Sequence, residues 1–300
     1  MRAKRRPALP VAALLILLMS ACIHSKDIST QEQMMMDIQT IDAYIANNNV
    51  GNVYKDLSGI RFTVERLGKS GQAPRGDQSI KAKYVGKYLD GTVFDPGNTI
   101  AEGPVASFIA AWQYLLPIWP VGTKGKLFVP SPLGYGPGPV NDIPANSILV
   151  FDMELLEVTQ SNADKARFTS DVAAIDKYIA DHSIDAVKDS TGVRYVITTQ
   201  GEDTKPTLFD KVAFTATAKD LSNGNQFYTG STGPTDLFDS RVCDYINGLK
   251  VGLQKIGKGG KITIYIPSAL AFGPSENSQV NLAANANVIY DVELTDLIAN

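Results

Sequence analysis

A block of about 135 residues occurs twice in this chain, so both copies must be able to adopt the same architecture. Asp42-Ala43-Tyr44-Ile45-Ala46 returns as Asp176-Lys177-Tyr178-Ile179-Ala180, and Ser58-Gly59-Ile60-Arg61-Phe62 as Thr191-Gly192-Val193-Arg194-Tyr195. Phe151-Asp152-Met153-Glu154 returns as Tyr290-Asp291-Val292-Glu293, while Asp77 aligns with Asp210 and Pro130 with Pro267. Whatever the fold requires is kept in both copies. Positions that differ sharply between them point to a site held by one.

The 300 residues divide accordingly: a signal segment at 1–21, a tether at 22–36, a first domain at 37–158, a linker at 159–170 and a second domain at 171–298. The signal reading rests on Arg2, Lys4, Arg5 and Arg6 ahead of an apolar run from Val11 to Met19 that is too short to span a bilayer. Leu18-Met19-Ser20-Ala21-Cys22 reads as a lipoprotein cleavage box, making Cys22 the acylated first residue of a mature chain. The expected location is the bacterial cell envelope, facing the periplasm and lipid-anchored to the membrane, the outer membrane being favoured. Without the segment, 24 basic side chains face 31 acidic ones, a net charge of −7 that argues against nucleic acid as a partner. The cysteines are Cys22 and Cys243, which leaves no disulfide framework and no cysteine metal site. Cys243 is expected to be a small buried apolar residue.

Hydrophobic spacing supplies the elements. Ile38, Ile41, Tyr44 and Ile45 fall at helical intervals, as do Val172, Ile175, Tyr178 and Ile179. These short amphipathic helices could pack on their own domains or form a homodimer with a second chain, and the sequence leaves both open. Ile60, Phe62 and Val64 alternate with polar residues, and Ile80, Ala82 and Tyr84 do the same, so the Tyr84 ring points inward. Asp90-Gly91 and Asn223-Gly224 are hairpin turns, and Leu149, Phe151, Met153 and Leu155 share the face of a closing strand. One helix near Trp112 to Trp119 is kept short by Pro117, which gives an α+β unit. Both tryptophans fall in the first copy.

Conventional catalytic equipment is missing. His24 sits in the tether and His182 follows the second short helix, so no triad can form around either, and no metal-ligand spacing is present. Gly257-Lys258-Gly259-Gly260 lacks the Ser/Thr ending of a phosphate loop and reads as a turn.

What remains is an ordered series in the first copy: Tyr84, Asp90-Gly91-Thr92-Val93-Phe94-Asp95, Phe108-Ile109-Ala110-Ala111-Trp112, Val121-Gly122, Pro130, Leu133-Gly134-Tyr135-Gly136, Ile143-Pro144-Ala145-Asn146 and Phe151 to Leu156. It resembles the FK506-binding-protein family of peptidyl-prolyl isomerases over Asp77 to Leu156. The resemblance implies two tandem domains, each a twisted antiparallel sheet wrapped on a short helix, with a prolyl pocket between sheet and helix. By the same resemblance Trp112 is the pocket floor, Tyr84, Phe94 and Phe151 its walls, and Asp95 the carboxylate beside them. Tyr135 supplies a hydroxyl for substrate carbonyls, Ile143 a backbone N–H, and Phe108 and Ile109 the rim. It also implies proline-containing unfolded or nascent secreted polypeptides as partners and needs no cofactor. A holdase-type binding module on the same fold is the alternative function.

The second copy carries Thr217, Phe227, Tyr228, Leu249, Phe272 and Tyr290 at the positions of Tyr84, Phe94, Asp95, Trp112, Tyr135 and Phe151. It is expected to be weak or inactive, binding unfolded chains or supporting the first copy. The first copy departs from the family as well. Pro104-Val105-Ala106-Ser107 stands where the family has an aromatic-rich strand, and Ala111 where it has glycine.

Overall fold

The computed structural model describes residues 29–68, 72–97, 100–234, 240–274 and 281–299. The signal segment, Cys22 and His24 lie outside the described residues. The first copy runs α1 (Thr30–Asn47), β1 (Val53–Lys55), β2 (Arg61–Arg66), β3 (Ser79–Tyr88), β4 (Val93–Asp95), β5 (Ala101–Pro104), α2 (Ala110–Leu115), β6 (Lys124–Val129) and β7 (Leu149–Thr159). The second runs α3 (Asn162–Asp181), β8 (Val187–Lys188), β9 (Arg194–Thr199), β10 (Lys211–Asp220), β11 (Gln226–Thr232), α4 (Asn247–Leu253), β12 (Lys261–Ile266) and β13 (Val288–Ile298). Both sheets are antiparallel and share one topology, β1-β2-β6-β7-β3-β4 and β8-β9-β12-β13-β10-β11, with β5 also paired to β3. The α+β class with two tandem units is therefore present as expected.

The local causes are simple. Leu149, Phe151, Met153 and Leu155 alternate inward along β7 and are all buried. Gly91 turns the β3–β4 hairpin at φ +88°, donating its N–H to the Tyr88 carbonyl. Pro117 cannot continue a helix, so α2 ends at Leu115 and a 3-10 turn carries the chain to Ile118.

Pairing registers align the copies residue by residue. Val85 lies opposite Asp152 and Thr217 opposite Asp291, so Thr217 corresponds to Val85, and the position of Tyr84 is held by Ala216. Asp210 accepts the N–H of Thr207 and its carbonyl takes the N–H of Val242; Gln78 does the same for Arg75 and Val105, so Gln78 rather than Asp77 is its counterpart. Matching by residue type slipped by one there, which would turn an inward side chain outward. The same register sets Phe214, opposite Leu294, at the place of Ala82, opposite Leu155.

Both amphipathic helices pack on their own domains. Ile41 of α1 is fully buried with Phe128 and Val150, and Ile175 of α3 with Tyr265 and Ile289. Arg61 grips the Asp42 carboxylate through two nitrogens at 2.8 and 3.1 Å, and Arg194 grips Asp176 at 2.8 and 3.2 Å. Those hydrogen bonds, more than the opposing burial, hold both carboxyls below their ordinary range. The helices start earlier than apolar spacing foretold. Capping boxes at Ser29 with Glu32 and Ser161 with Asp164 place the starts at Thr30, inside the expected tether, and Asn162, inside the expected linker.

The two domains share one continuous core. Phe209 of the second domain sits 4.4 Å from the Tyr54 ring and 5.5 Å from Phe62, which in turn meets Trp119 edge-on. Beside this cluster Arg241 is 2.5 Å from Asp56. Burial alone would raise the Asp56 carboxyl, but hydrogen bonds from Ser58 and Arg241 hold it low. Cys243, on the same turn as Arg241, is buried with a free thiol. Because Trp119 backs the Phe62 ring that Phe209 packs against, tryptophan fluorescence should respond to domain docking as well as to the first domain.

Lys250 of α4 is 6% exposed and donates to the Pro117 carbonyl at 3.1 Å, with no carboxylate in salt-bridge range among the described residues. Burial, only partly offset by nearby charge, lowers its pKa to about 8. A lysine whose folded pKa lies below its unfolded value carries its full penalty below pH 8 and sheds it as pH rises toward 10.5. Lys250→Met should therefore raise the unfolding midpoint at pH 7, with a margin that shrinks between pH 8 and 10. Thermal unfolding across that range checks it; a lower midpoint at pH 7 would mean that the Pro117 hydrogen bond outweighs desolvation.

Candidate active site

One short helix sets the floor of the site. α2 begins after a 3-10 turn (Val105–Ser107), and Gln113 Nε2 ties that turn to the helix through the carbonyls of Ala106 at 3.2 Å and Phe108 at 2.7 Å. This fixes Phe108, Ile109 and Trp112 along one edge. Trp112 is 3% exposed, and the rings of Tyr84 and Phe108 lie 5.1 Å from it and that of Phe151 5.5 Å, Tyr84 and Phe151 both edge-on. β3 supplies Tyr84, β7 supplies Phe151, and the loop after β6 brings Tyr135 over the mouth, where it is 39% exposed. Together with Ala101 and Ser107 these side chains enclose a cavity of about 210 Å³. Such a volume suits one cyclic side chain better than a drug-sized molecule.

Of the nine residues carried over from the family resemblance, Tyr84, Phe108, Ile109, Trp112, Tyr135 and Phe151 line this cavity. Asp95 stands behind Tyr84, accepting its hydroxyl at 2.5 Å while its other oxygen accepts the Gly97 N–H at 2.9 Å. Phe94 backs Phe151 edge-on at 5.9 Å and lies so close over β3 that a Cβ at Gly86 would meet its ring at 2.5 Å. Ile143 lies outside the lining, and its N–H already donates to the Val140 carbonyl at 2.9 Å, so a substrate carbonyl must displace that bond. Ala101 and Ser107 went unnoticed in the sequence because small residues carry no chemical signal; the pairing of Ala82 with Ala101 is what places one of them.

The polar groups are donors of fixed protonation. Burial first, then the hydrogen bond and charge of Asp95, push the Tyr84 hydroxyl well above its usual range; burial first and then the Asp95 charge also raise Tyr135. No histidine or lysine is among the lining residues, so the arrangement offers aromatic surface and hydroxyl donors, not a nucleophile or a base.

In the second copy different side chains stand at the equivalent places. Phe214, at the Ala82 place, puts its ring 4.9 Å from Tyr245, which holds the Phe108 place and bonds Thr232 at 3.1 Å. Leu249 replaces the indole, and Phe227 leans edge-on against Phe272 and Tyr290 at 6.0 and 6.1 Å.

Sequence comparison places the chain in a family. The family described as FKBP-type peptidyl-prolyl cis-trans isomerase matches residues 70–156 and again 202–295, together more than half of the chain. The chain is 38% identical over 124 residues to the FKBP-type peptidyl-prolyl cis-trans isomerase FkpA of Aeromonas hydrophila, covering 40% of this chain and 45% of that protein. It is 33% identical over 158 residues to the FKBP-type 22 kDa peptidyl-prolyl cis-trans isomerase of Escherichia coli, covering 51% of this chain and 76% of that one. It thus spans less than half the length of the Aeromonas relative. Among solved structures, a Pseudomonas syringae peptidyl-prolyl cis-trans isomerase is 28% identical over 42% of this chain and 96% of that one, with a TM-score of 0.38. Two matches to one family, each lying on a copy of the same sheet-and-helix unit, make this chain a member of the FKBP-type peptidyl-prolyl cis-trans isomerase family.

Proposed function

We propose that the protein catalyses cis-trans isomerisation of Xaa-Pro bonds in folding polypeptides, and that the first-domain cavity does the chemistry. The observation that carries this reading is the 210 Å³ hollow walled by Tyr84, Phe108, Ile109, Trp112, Tyr135 and Phe151 inside a family match. The second domain, with Leu249 at the Trp112 place and Phe272 at the Tyr135 place, serves as a non-catalytic support docked through Phe209 and Arg241. Clients are proline-containing unfolded or newly secreted chains, met at the bacterial envelope where a lipid on Cys22 would hold the protein.

The mechanism follows from the barrier. Peptide-bond rotation costs about 18–20 kcal/mol because the planar amide is resonance-stabilised. Midway through rotation that resonance is lost and the dipole falls, so leaving water costs the twisted form less than the planar one. A dry aromatic pocket therefore favours the transition state over the ground state. A thousand-fold acceleration needs only about 4 kcal/mol of such discrimination. In this scheme Trp112 supports the proline ring from below, and Tyr84, Phe151 and Phe108 exclude water. The Tyr135 hydroxyl, exposed at the mouth, donates to a client carbonyl. Asp95 is a positioning residue that holds Tyr84 upright. No proton changes hands.

Proline-limited refolding of a client by the full chain should be accelerated, and Trp112→Leu, which imports the second copy's residue, should cut kcat/KM by at least about tenfold. A Leu249→Ala variant should stay within about twofold of the parent. Equal activity in parent and Trp112→Leu would sink the first-domain assignment, and unchanged refolding rates with suppressed client aggregation would favour a holdase. The pH profile gives a second check. With both tyrosine hydroxyls held above their usual range and no base in the lining, kcat/KM should be flat from about pH 6 to 9. A bell-shaped profile would require a titrating group that the scheme lacks.

A further inference from the structure

We propose that the N-terminal helix sets the position of Tyr135, with Asp37 as the positioning residue. This rests on the isomerase reading of the first-domain cavity. α1 precedes the family match, which begins at residue 70. In its middle Asp37 is 3% exposed, a place where an apolar side chain would cost less. Its carboxylate is satisfied by two partners. One oxygen accepts from Gln33 Nε2 at 2.7 Å, one helical turn earlier, and the other accepts the backbone N–H of Ser131 at 2.7 Å.

Ser131 is the node through which the helix reaches the site. It is fully buried at the start of the loop after β6. Its carbonyl accepts the N–H groups of Gly134 at 3.0 Å and Gly136 at 2.9 Å, the two neighbours of Tyr135. The Gly136 carbonyl in turn accepts the Asn146 N–H at 3.0 Å, which closes the loop on itself. A carboxylate on α1 thus holds the N–H of Ser131, and the carbonyl of the same residue brackets the tyrosine. Charge-assisted bonds to backbone N–H groups are among the stronger ones available, and a buried acceptor of this kind resists sliding.

The second copy contains a related arrangement without the functional group. Asp171 of α3 is 2% exposed, accepts the Ser268 hydroxyl and pairs with Arg167 at 3.0 Å, while the Ser268 N–H donates to Asn287 Oδ1 at 2.9 Å. The Ser268 carbonyl accepts Ala271 N–H at 3.0 Å and Gly273 N–H at 2.8 Å, which bracket Phe272. The Gly273 carbonyl takes the Asn285 N–H at 2.8 Å. Here the clamp holds a ring with no hydroxyl to present. Asp171 therefore provides a control: its removal disturbs a related buried contact, far from the first-domain cavity.

The test uses the full chain. kcat/KM on an Xaa-Pro peptide is measured for Asp37→Ala, Asp37→Asn, Asp171→Ala, Tyr135→Phe and the Asp37→Ala/Tyr135→Phe double variant. Asp37→Ala should lose about tenfold, chiefly in KM, and Asp37→Asn should recover part of it. In the Tyr135→Phe background the further loss from Asp37→Ala should be within about twofold, because the hydroxyl it positions is already gone. Asp171→Ala should match the parent. Parent-like activity in a folded Asp37→Ala protein, an equal fold-loss in both backgrounds, or an equal loss in Asp171→Ala would overturn the proposal. Amide hydrogen exchange separates its failure from failure of the isomerase reading. In Asp37→Ala the Gly134 and Gly136 amides should exchange faster whether or not the parent is active, and unchanged exchange there would overturn it independently.

Discussion

One short helix has to cover the concave face of each sheet, and the completeness of that cover decides what each half of the molecule can do. In the first copy the inward residue of β3 opposite Leu155 is Ala82, and the next inward ring, Tyr84, leans on Trp112. Ala82 itself is buried, and the cavity is lined by Tyr84 and by Ala101, the partner of Ala82 across the sheet. In the second copy the ring has moved two residues along the same face, from the Tyr84 position to the Ala82 position, which Phe214 holds, and Ala216 stands where the tyrosine was.

The same constraint explains the rest of the architecture. A sheet that gives up part of its packing to a cavity must recover stability elsewhere. The outer helix is not that recovery, since α1 is fastened by Ile41 and the Arg61–Asp42 pair just as α3 is by Ile175 and the Arg194–Asp176 pair. The first domain gains packing at the domain interface, where Tyr54 and Phe62 meet Phe209 and Trp119 backs Phe62. Lys250 reaches from the second domain to the carbonyl of Pro117, directly after the helix that carries Trp112. The halves are one packed body rather than two beads on a linker.

Much of this was legible in the sequence. Period-two alternation gave β3 and β7, the turn dipeptides gave the hairpins, and the aromatic series gave six of the eight lining residues of the cavity. Three things were not legible, each for a physical reason. Register was lost by one residue at Thr217, since residue type matches Asp210 to Asp77 whereas backbone hydrogen bonding matches it to Gln78, and such bonding is not announced by residue types. Helix starts at Thr30 and Asn162 were hidden because first turns are polar, although the Ser29–Glu32 box was there to be read. The Phe209 contacts join positions some 150 residues apart and leave no local pattern.

The account stands on the openness of the first-domain hollow, and exchange spectroscopy on a proline peptide with catalytic amounts of the full chain tests it most directly. The parent should give cis-trans exchange peaks on a timescale at which the free peptide shows none. A variant carrying Ala82→Phe with Tyr84→Ala, which rebuilds the second copy's arrangement in the first, should slow that exchange at least about tenfold while the fold is retained. Undiminished exchange in that variant would contradict the central claim.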